Sequence, residues 1–371
     1  MHSSVKKVIS MVLISLCLCS CAGKDNTVYD ESGTKQKNSY AEAFEIVKYD
    51  NGDALITIGE QKIAVIAPGG KVPAWAKNMT VVRQPVNNIY VAASSVPDLF
   101  DCLGELDKVK FTSTKYDDWS LENVKNAISA GEMAYAGKYS APDYEMLLSG
   151  GCELVIESTM IEHSPEVREK LEGLGLPVIT EMSSREAHPL GRLEWIKVYG
   201  VLLGCEEKAE ELFDEQTAMV EALDANSGDK KAAFFYISNN GYAVVRKSGD
   251  YVSKMIEMAG GIYVPQDTGS NENALSTTNM QIEAFYEGAR DADIIIYNST
   301  IDGAIASRDE LIEKCALLKD FKAVKEDNVW CTDKNLFQQT GSAAGMIKDI
   351  SIVLNGEEER FDDLSFLHKA A

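Results

Sequence analysis

The run SSREAHPLGRLEWIKVYG, from Ser183 to Gly200, gathers two arginines, two glutamates, a histidine and a tryptophan. A guanidinium fork pairs with carboxylates or with the oxygens of a chelate, so Arg185 and Arg192 suit recognition of an anionic group. Glu186 and Glu194 have the spacing to hold those arginines by ion pairing along a helix. His188 precedes Pro189 where a helix begins, and suits capping or contact with a ligand. Trp195 reads as core or as a cleft wall. Acid–base catalysis would draw on histidines, and the body of the chain offers only three, His163, His188 and His368. No GxSxG elbow, HExxH or P-loop occurs, and no cysteine has an obvious histidine partner in sequence. The chain therefore reads as a binder and not as an enzyme. A lipid-anchored enzyme using His188 or His163, and a surface lipoprotein that takes no small molecule, are the alternatives from other classes.

Further recognition-type side chains fall in loops. GKYSAPDY supplies Lys138 and Tyr139, and ISNNGYAVVR supplies Tyr236, Asn239, Asn240, Tyr242 and Arg246. Met160 and His163, just past a strand end, have the chemistry of axial haem ligands. More simply, STMIEHSPE is a loop with a helix start at Ser164–Pro165.

These residues need elements to carry them. FEIVKYDNGDALITIGEQKIAVIAPGG alternates apolar and polar residues around Asp50–Asn51–Gly52 and predicts an N-terminal β-hairpin. NIYVAASS, KVKFTST, CELVIEST and LPVITEMSS read as short buried strands between the helices VPDLFDCLG, SLENVKNAISAG and PEVREKLEGLG. That alternation predicts an α/β lobe with a mostly parallel sheet. From Pro189 to about Leu223 only Gly200 and Gly204 interrupt a helical pattern, which at 1.5 Å per residue would reach roughly 50 Å. A second α/β set follows it. The fold class predicted is α/β: two Rossmann-like lobes joined by one long inter-lobe helix.

The halves also echo each other. DYEMLLSGGCELVIEST and QIEAFYEGARDADIIIYNST each open a short helix with a glutamate and close an apolar strand with Ser-Thr. In open α/β sheets ligands bind beyond the carboxyl ends of strands, so Ser158–Thr159 and Ser299–Thr300 would both face an inter-lobe cleft.

Composition limits the partners. Lys+Arg is 36 and Asp+Glu is 58, a net charge of −22 over 371 residues. So acidic a surface repels phosphate backbones, and no basic stripe is present; nucleic acid is not an expected partner. The first residues, MHSSVKKVISMVLISLCLCSC, place two lysines ahead of an apolar run too short to span a bilayer, as in a signal peptide. Leu18–Cys19–Ser20–Cys21 resembles a bacterial lipobox, making Cys21 the expected lipidation site and the membrane a partner through that lipid. Residues 22–40 are polar and aperiodic and read as a tether. The organisation expected is signal peptide 1–21, tether 22–40, first lobe 41–188, connecting helix 189–227 and second lobe 228–371. Five cysteines remain in the body, with no CxxC pair, and neither a disulfide framework nor a metal site is indicated.

A lipoprotein signal, two α/β lobes and one spanning helix together resemble the helical-backbone substrate-binding proteins of ABC importers, which capture ferric siderophores, haem and cobalamin. GKYSAPDYEMLLSGGCELVIESTMIEHSPEVREKLEGLGLPVI, SSREAHPLGRLEWIKVYGVLLGCEEKAEELF and GDYVSKMIEMAGG carry that resemblance, over about Phe44 to Asn355. It implies a monomer outside the cytoplasm that hands a metal chelate to an ABC permease without transforming it and needs no cofactor of its own. A ferric siderophore is the expected ligand, with a corrinoid or haem as the alternative. Three histidines far apart in the sequence are few for the bare zinc or manganese ions that other importers carry. The resemblance also implies that one glutamate per lobe docks on permease arginines, and by position these are Glu145 and Glu283. The ligand-contact residues expected are Lys138, Tyr139, Thr159, Met160, Arg185, His188, Arg192, Tyr236, Asn240, Tyr242, Arg246 and Thr300.

Overall fold

The computed structural model describes residues 33–223, 228–269 and 277–370. The signal segment, Cys21 and the tether up to residue 32 lie outside the described residues, as do residues 224–227 at the end of the expected connecting helix. The body opens with β1 (Thr34–Lys35), β2 (Phe44–Lys48), β3 (Ala54–Ile58), β4 (Gln61–Ile66) and β5 (Thr80–Arg83), in that order in one sheet. The expected hairpin is its centre: β2 and β3 are antiparallel, with Lys48 opposite Ala54, and Gly52 takes a φ of 86° that a residue with a Cβ would resist. The sequence alternation had shown only part of a wider sheet. Its apolar face, with Phe44, Ile46, Ile56 and Ile63, is buried in the core of the first lobe.

That lobe contains β6 (Ile89–Val91), α1 (Val96–Leu103), β7 (Val109–Thr112), α2 (Glu122–Ser129) and β8 (Ala134–Tyr135). After a small hairpin, β9 (Gly137–Lys138) and β10 (Ala141–Pro142), come α3 (Tyr144–Ser149), β11 (Leu154–Ser158), α4 (Pro165–Gly173) and β12 (Val178–Glu181). The main sheet runs β12-β11-β6-β7-β8 and is parallel throughout, as a strand–helix alternation requires.

The connection differs from an unbroken rod. It consists of α5 (Pro189–Glu194), α6 (Ile196–Leu203) and α7 (Glu206–Glu221), which packs back on α6. Gly204, at φ 74°, caps α6 in the left-handed conformation. A Cβ on Gly200 would lie 2.6 Å from that of Ala209, so the glycine permits the close packing of α6 on α7. One helix still joins the lobes, but it is α7, about 24 Å long.

The second lobe is built from β13 (Lys231–Ile237), β14 (Ala243–Arg246), α8 (Tyr251–Met258), β15 (Ile262–Val264), β16 (Thr277–Met280) and α9 (Ile282–Ala289). Next come β17 (Ile294–Tyr297), α10 (Ser299–Asp302), α11 (Arg308–Lys314), α12 (Lys322–Lys325), β18 (Val329–Thr332), α13 (Ala343–Asn355) and β19 (Leu367–Lys369). Its core strands β15, β13, β17 and β18 are parallel, while β14, β16 and β19 add antiparallel edges. The body's five cysteines, Cys102, Cys152, Cys205, Cys315 and Cys331, are all free thiols. Among the described residues no helix is long and apolar enough to cross a membrane.

Candidate functional site

The charged stretch from Ser183 turns out to be an anchor beside the cleft. The Glu194 carboxylate is fully buried and accepts the backbone N–H groups of Ser39, Tyr40 and Ala41, each at 2.8 Å. Glu186 accepts those of Glu42 and Ala43 at 2.9 Å, and the indole N–H of Trp195 at 3.0 Å. The two glutamates therefore do not hold the neighbouring arginines. They fasten the incoming chain, including the last residues of the expected tether, to the start of α5. Trp195 is core, edge-on to Phe44. His188 is a cap: its Nδ1 accepts the Leu190 N–H at 3.2 Å, and its ring stacks on Tyr40. Burial lowers the His188 pKa, with nearby Lys254 adding to the effect, which keeps the ring neutral as that acceptor role demands.

Beside this anchor the lobes enclose a cavity of 260 Å³. From the first lobe, Ser94 and Ser95 follow β6, Thr159 and Met160 follow β11, and Ser183 and Ser184 follow β12. The second lobe contributes Tyr251 and Met255 of α8, the loop residues Leu336 and Phe337, and Met346 of α13. Arg192 spans the gap: its guanidinium lies 3.4 Å from the ring centroid of Tyr251, while Nε and Nη2 donate to the carbonyls of Glu186 and Ser184. Glu181 completes the floor; burial drives its carboxyl upward in pKa, and it accepts the Ser183 N–H at 2.7 Å.

A second, wider space of 740 Å³ shares Ser94 and Phe337 with the first. It is polar, lined by Asp117, Asp118, Lys125, Thr300, Asp333 and Lys334. Gln338 bridges the lobes here, accepting the Ser120 N–H at 2.7 Å and donating to the Asp118 carbonyl at 2.9 Å. A third bridge joins α1 to the turn before α13, where Asp98 accepts the Gly341 N–H at 2.7 Å. A Cβ on Gly341 would lie 2.5 Å from the Cys102 sulfur, so only glycine allows that approach. Burial raises the Asp98 pKa to about 6.

Of the expected contact residues, Thr159, Met160 and Arg192 line the inner cavity and Thr300 the outer space. Arg246 sits just behind, its guanidinium 5.1 Å from the Phe337 ring and paired with Asp250. Lys138, Tyr139, Arg185, His188, Tyr236, Asn240 and Tyr242 line neither space. Arg185 is spent on an exposed pair with Glu162, and Lys138 belongs to the β9–β10 hairpin. His163 is exposed and lines neither space, which leaves Met160 without the partner expected for an axial pair. Tyr251, Met255 and Phe337 escaped notice because a helix stripe and a loop carry them. Ser94–Ser95 and Ser183–Ser184 were findable by the strand-end rule that picked Ser158–Thr159. Glu145 and Glu283 are exposed and each is the second residue of its helix, α3 and α9, which lead into β11 and β17. No group of histidine, cysteine and carboxylate side chains suited to a metal ion occurs among the described residues.

Comparisons with known proteins agree with this layout. The family described as periplasmic binding protein matches residues 89–336. An uncharacterized lipoprotein of Methanocaldococcus jannaschii is 22% identical over 345 residues, covering 88% of this chain and 77% of its own length. A second one from that organism is 22% identical over 348 residues, 89% of this chain and 86% of its own. Among solved structures, a periplasmic haem-binding protein of Vibrio cholerae has a TM-score of 0.60 at 18% identity, over 72% of this chain and 98% of that one. The vitamin B12-binding protein of the same organism has a TM-score of 0.52 at 15% identity, over 74% and 99%. A periplasmic binding protein of Veillonella parvula reaches 0.59 at 16% identity, over 85% and 98%.

Proposed function

We propose, from the premise that this chain belongs to the periplasmic binding protein family of ABC importers, that it captures a ferric siderophore-type chelate and delivers it to a permease. The family consists of substrate-binding transport proteins and not enzymes. One observation supports capture most: strand ends of one lobe and a helix of the other converge on an inter-lobe cavity. In this reading Cys21 bears the lipid that holds the protein at the membrane, outside the cytoplasm, and the protein works as a monomer. Glu145 and Glu283 dock on arginines of the membrane subunits, and two carboxylates on separate lobes report a closed cleft only when read together. A corrinoid or haem is the second reading, favoured by the haem- and vitamin B12-binding names among the structural neighbours.

The test uses the body from residue 33, since Ser39 to Ala43 belong to the fold. Trp119 lines the outer space and serves as the fluorescence reporter. Saturable one-to-one binding of a ferric chelate, released unchanged by mass spectrometry, is the expected result. A chelate altered by the protein, or none bound, would refute it. Charge reversal at both Glu145 and Glu283 should abolish uptake and leave solution affinity intact.

A further inference from the structure

Resting on that reading of the cleft, we propose that it selects an uncharged, amphipathic chelate, a neutral ferric trihydroxamate or a corrin, over polyanionic ones. The sequence had suggested local positive charge at the site, yet the charges are distributed differently. Among the described residues Arg192 is the one cation lining the inner cavity, and it is occupied: two of its nitrogens donate to carbonyls and its guanidinium lies over the Tyr251 ring. Glu181 shares that cavity. Arg246 is paired with Asp250, with Nη1 and Oδ2 3.6 Å apart, and does not line the space.

The outer space brings Asp117, Asp118 and Asp333 against Lys125 and Lys334. Two of these are engaged: Lys125 pairs with Glu122 at 3.2 Å and Asp333 meets His368 Nδ1 at 2.6 Å. A chelate with three negative charges would face three aspartates here and, among the described residues, only the exposed Lys334 as an unpaired cation, and desolvating unpaired charge is costly. The net charge of −22 opposes its approach as well. What the cavity does offer is hydroxyls at three strand ends together with three methionines and three aromatic rings, Tyr251, Phe337 and Phe366. Hydroxyls satisfy neutral carbonyl and amide groups, and polarizable thioethers adapt to an irregular apolar face.

Titrating the body with four probes decides the matter: a neutral ferric trihydroxamate, cyanocobalamin, a ferric tricatecholate and haem with its two propionates. One of the neutral pair should bind about a hundredfold or more tighter than either anion. Which of the two binds separates siderophore from corrin. The double substitution Asp117→Lys and Asp118→Lys, both exposed, should narrow that ratio about tenfold at low salt. An anionic probe that binds as tightly as the better neutral one overturns the charge selection while leaving chelate capture standing. Failure of all four to bind overturns capture itself, and this inference with it.

Discussion

In the first lobe three neighbouring strands, β12, β11 and β6, end in hydroxyl side chains at the inner cavity. The second lobe meets the same cavity with the flank of α8, the start of α13 and the loop between β18 and α13. Its own echoed strand end, Ser299–Thr300, opens α10 at the outer space instead. The halves share a chain plan and divide the work unevenly: one supplies most of the hydroxyls, the other a mostly apolar wall interrupted by Gln339 and Thr340. They also differ in how they are held. The first lobe is fastened to residues 39–43 through Glu186 and Glu194, two carboxylates taking six N–H groups between them.

That asymmetry can be broken most severely at Glu194. In Glu194→Ala three backbone donors lose their acceptor, and the buried Lys197 ammonium, 3.3 Å away, keeps only Glu210 as its carboxylate partner. A loss of about 3–5 kcal/mol is expected. Hydrogen exchange should show it in the first lobe, with β13 and β17 still protected; equal loss in both lobes would mean that the anchor serves the whole body.

Comparable in size is a pH effect confined to the first lobe. Glu157 of β11 is fully buried, neither carboxyl oxygen has a partner, and burial raises its pKa to about 8. The folded state thus holds a proton that the unfolded chain releases above the ordinary glutamate value. The stability linked to that proton is fully present below about pH 4.5 and is lost as pH rises through about 8. Relative to Glu157→Gln, the native protein should lose roughly 4–5 kcal/mol across that window. Parallel pH–stability curves for the two would contradict the assignment.

The smallest effects compare the cleft walls themselves. With the ferric trihydroxamate as probe, Tyr251→Ala should weaken binding about a hundredfold, by removing an aromatic wall and uncovering Arg192. Thr159→Val should cost about fivefold, the size of one hydrogen bond. Thr300→Ala, in the outer space, should stay within about twofold. Calorimetric titration gives all three, and a reversed order would exchange the roles of the lobes.

Strand and helix periodicity made the two α/β lobes legible, because burial on sheet faces leaves a pattern within each short segment. The strand-end rule reached Thr159 and the outer Thr300. Glu186 and Glu194 could not be read this way, since their partners lie 143 to 155 positions earlier in the chain. Spacing to nearby arginines suggested ion pairs, and backbone donors from a distant segment won. Tyr251 and Met255 were hidden for a related reason: α8 has an ordinary amphipathic pattern, and only packing reveals that part of its flank borders a cavity.

Hydrogen exchange with and without the ferric trihydroxamate tests the shared cleft most directly. Binding should protect the segments around Ser94–Ser95, Thr159–Met160 and Ser183–Ser184 in one lobe together with Tyr251–Met255 and Leu336–Met346 in the other. Protection limited to one lobe, or absent from both, would contradict a guest held between them.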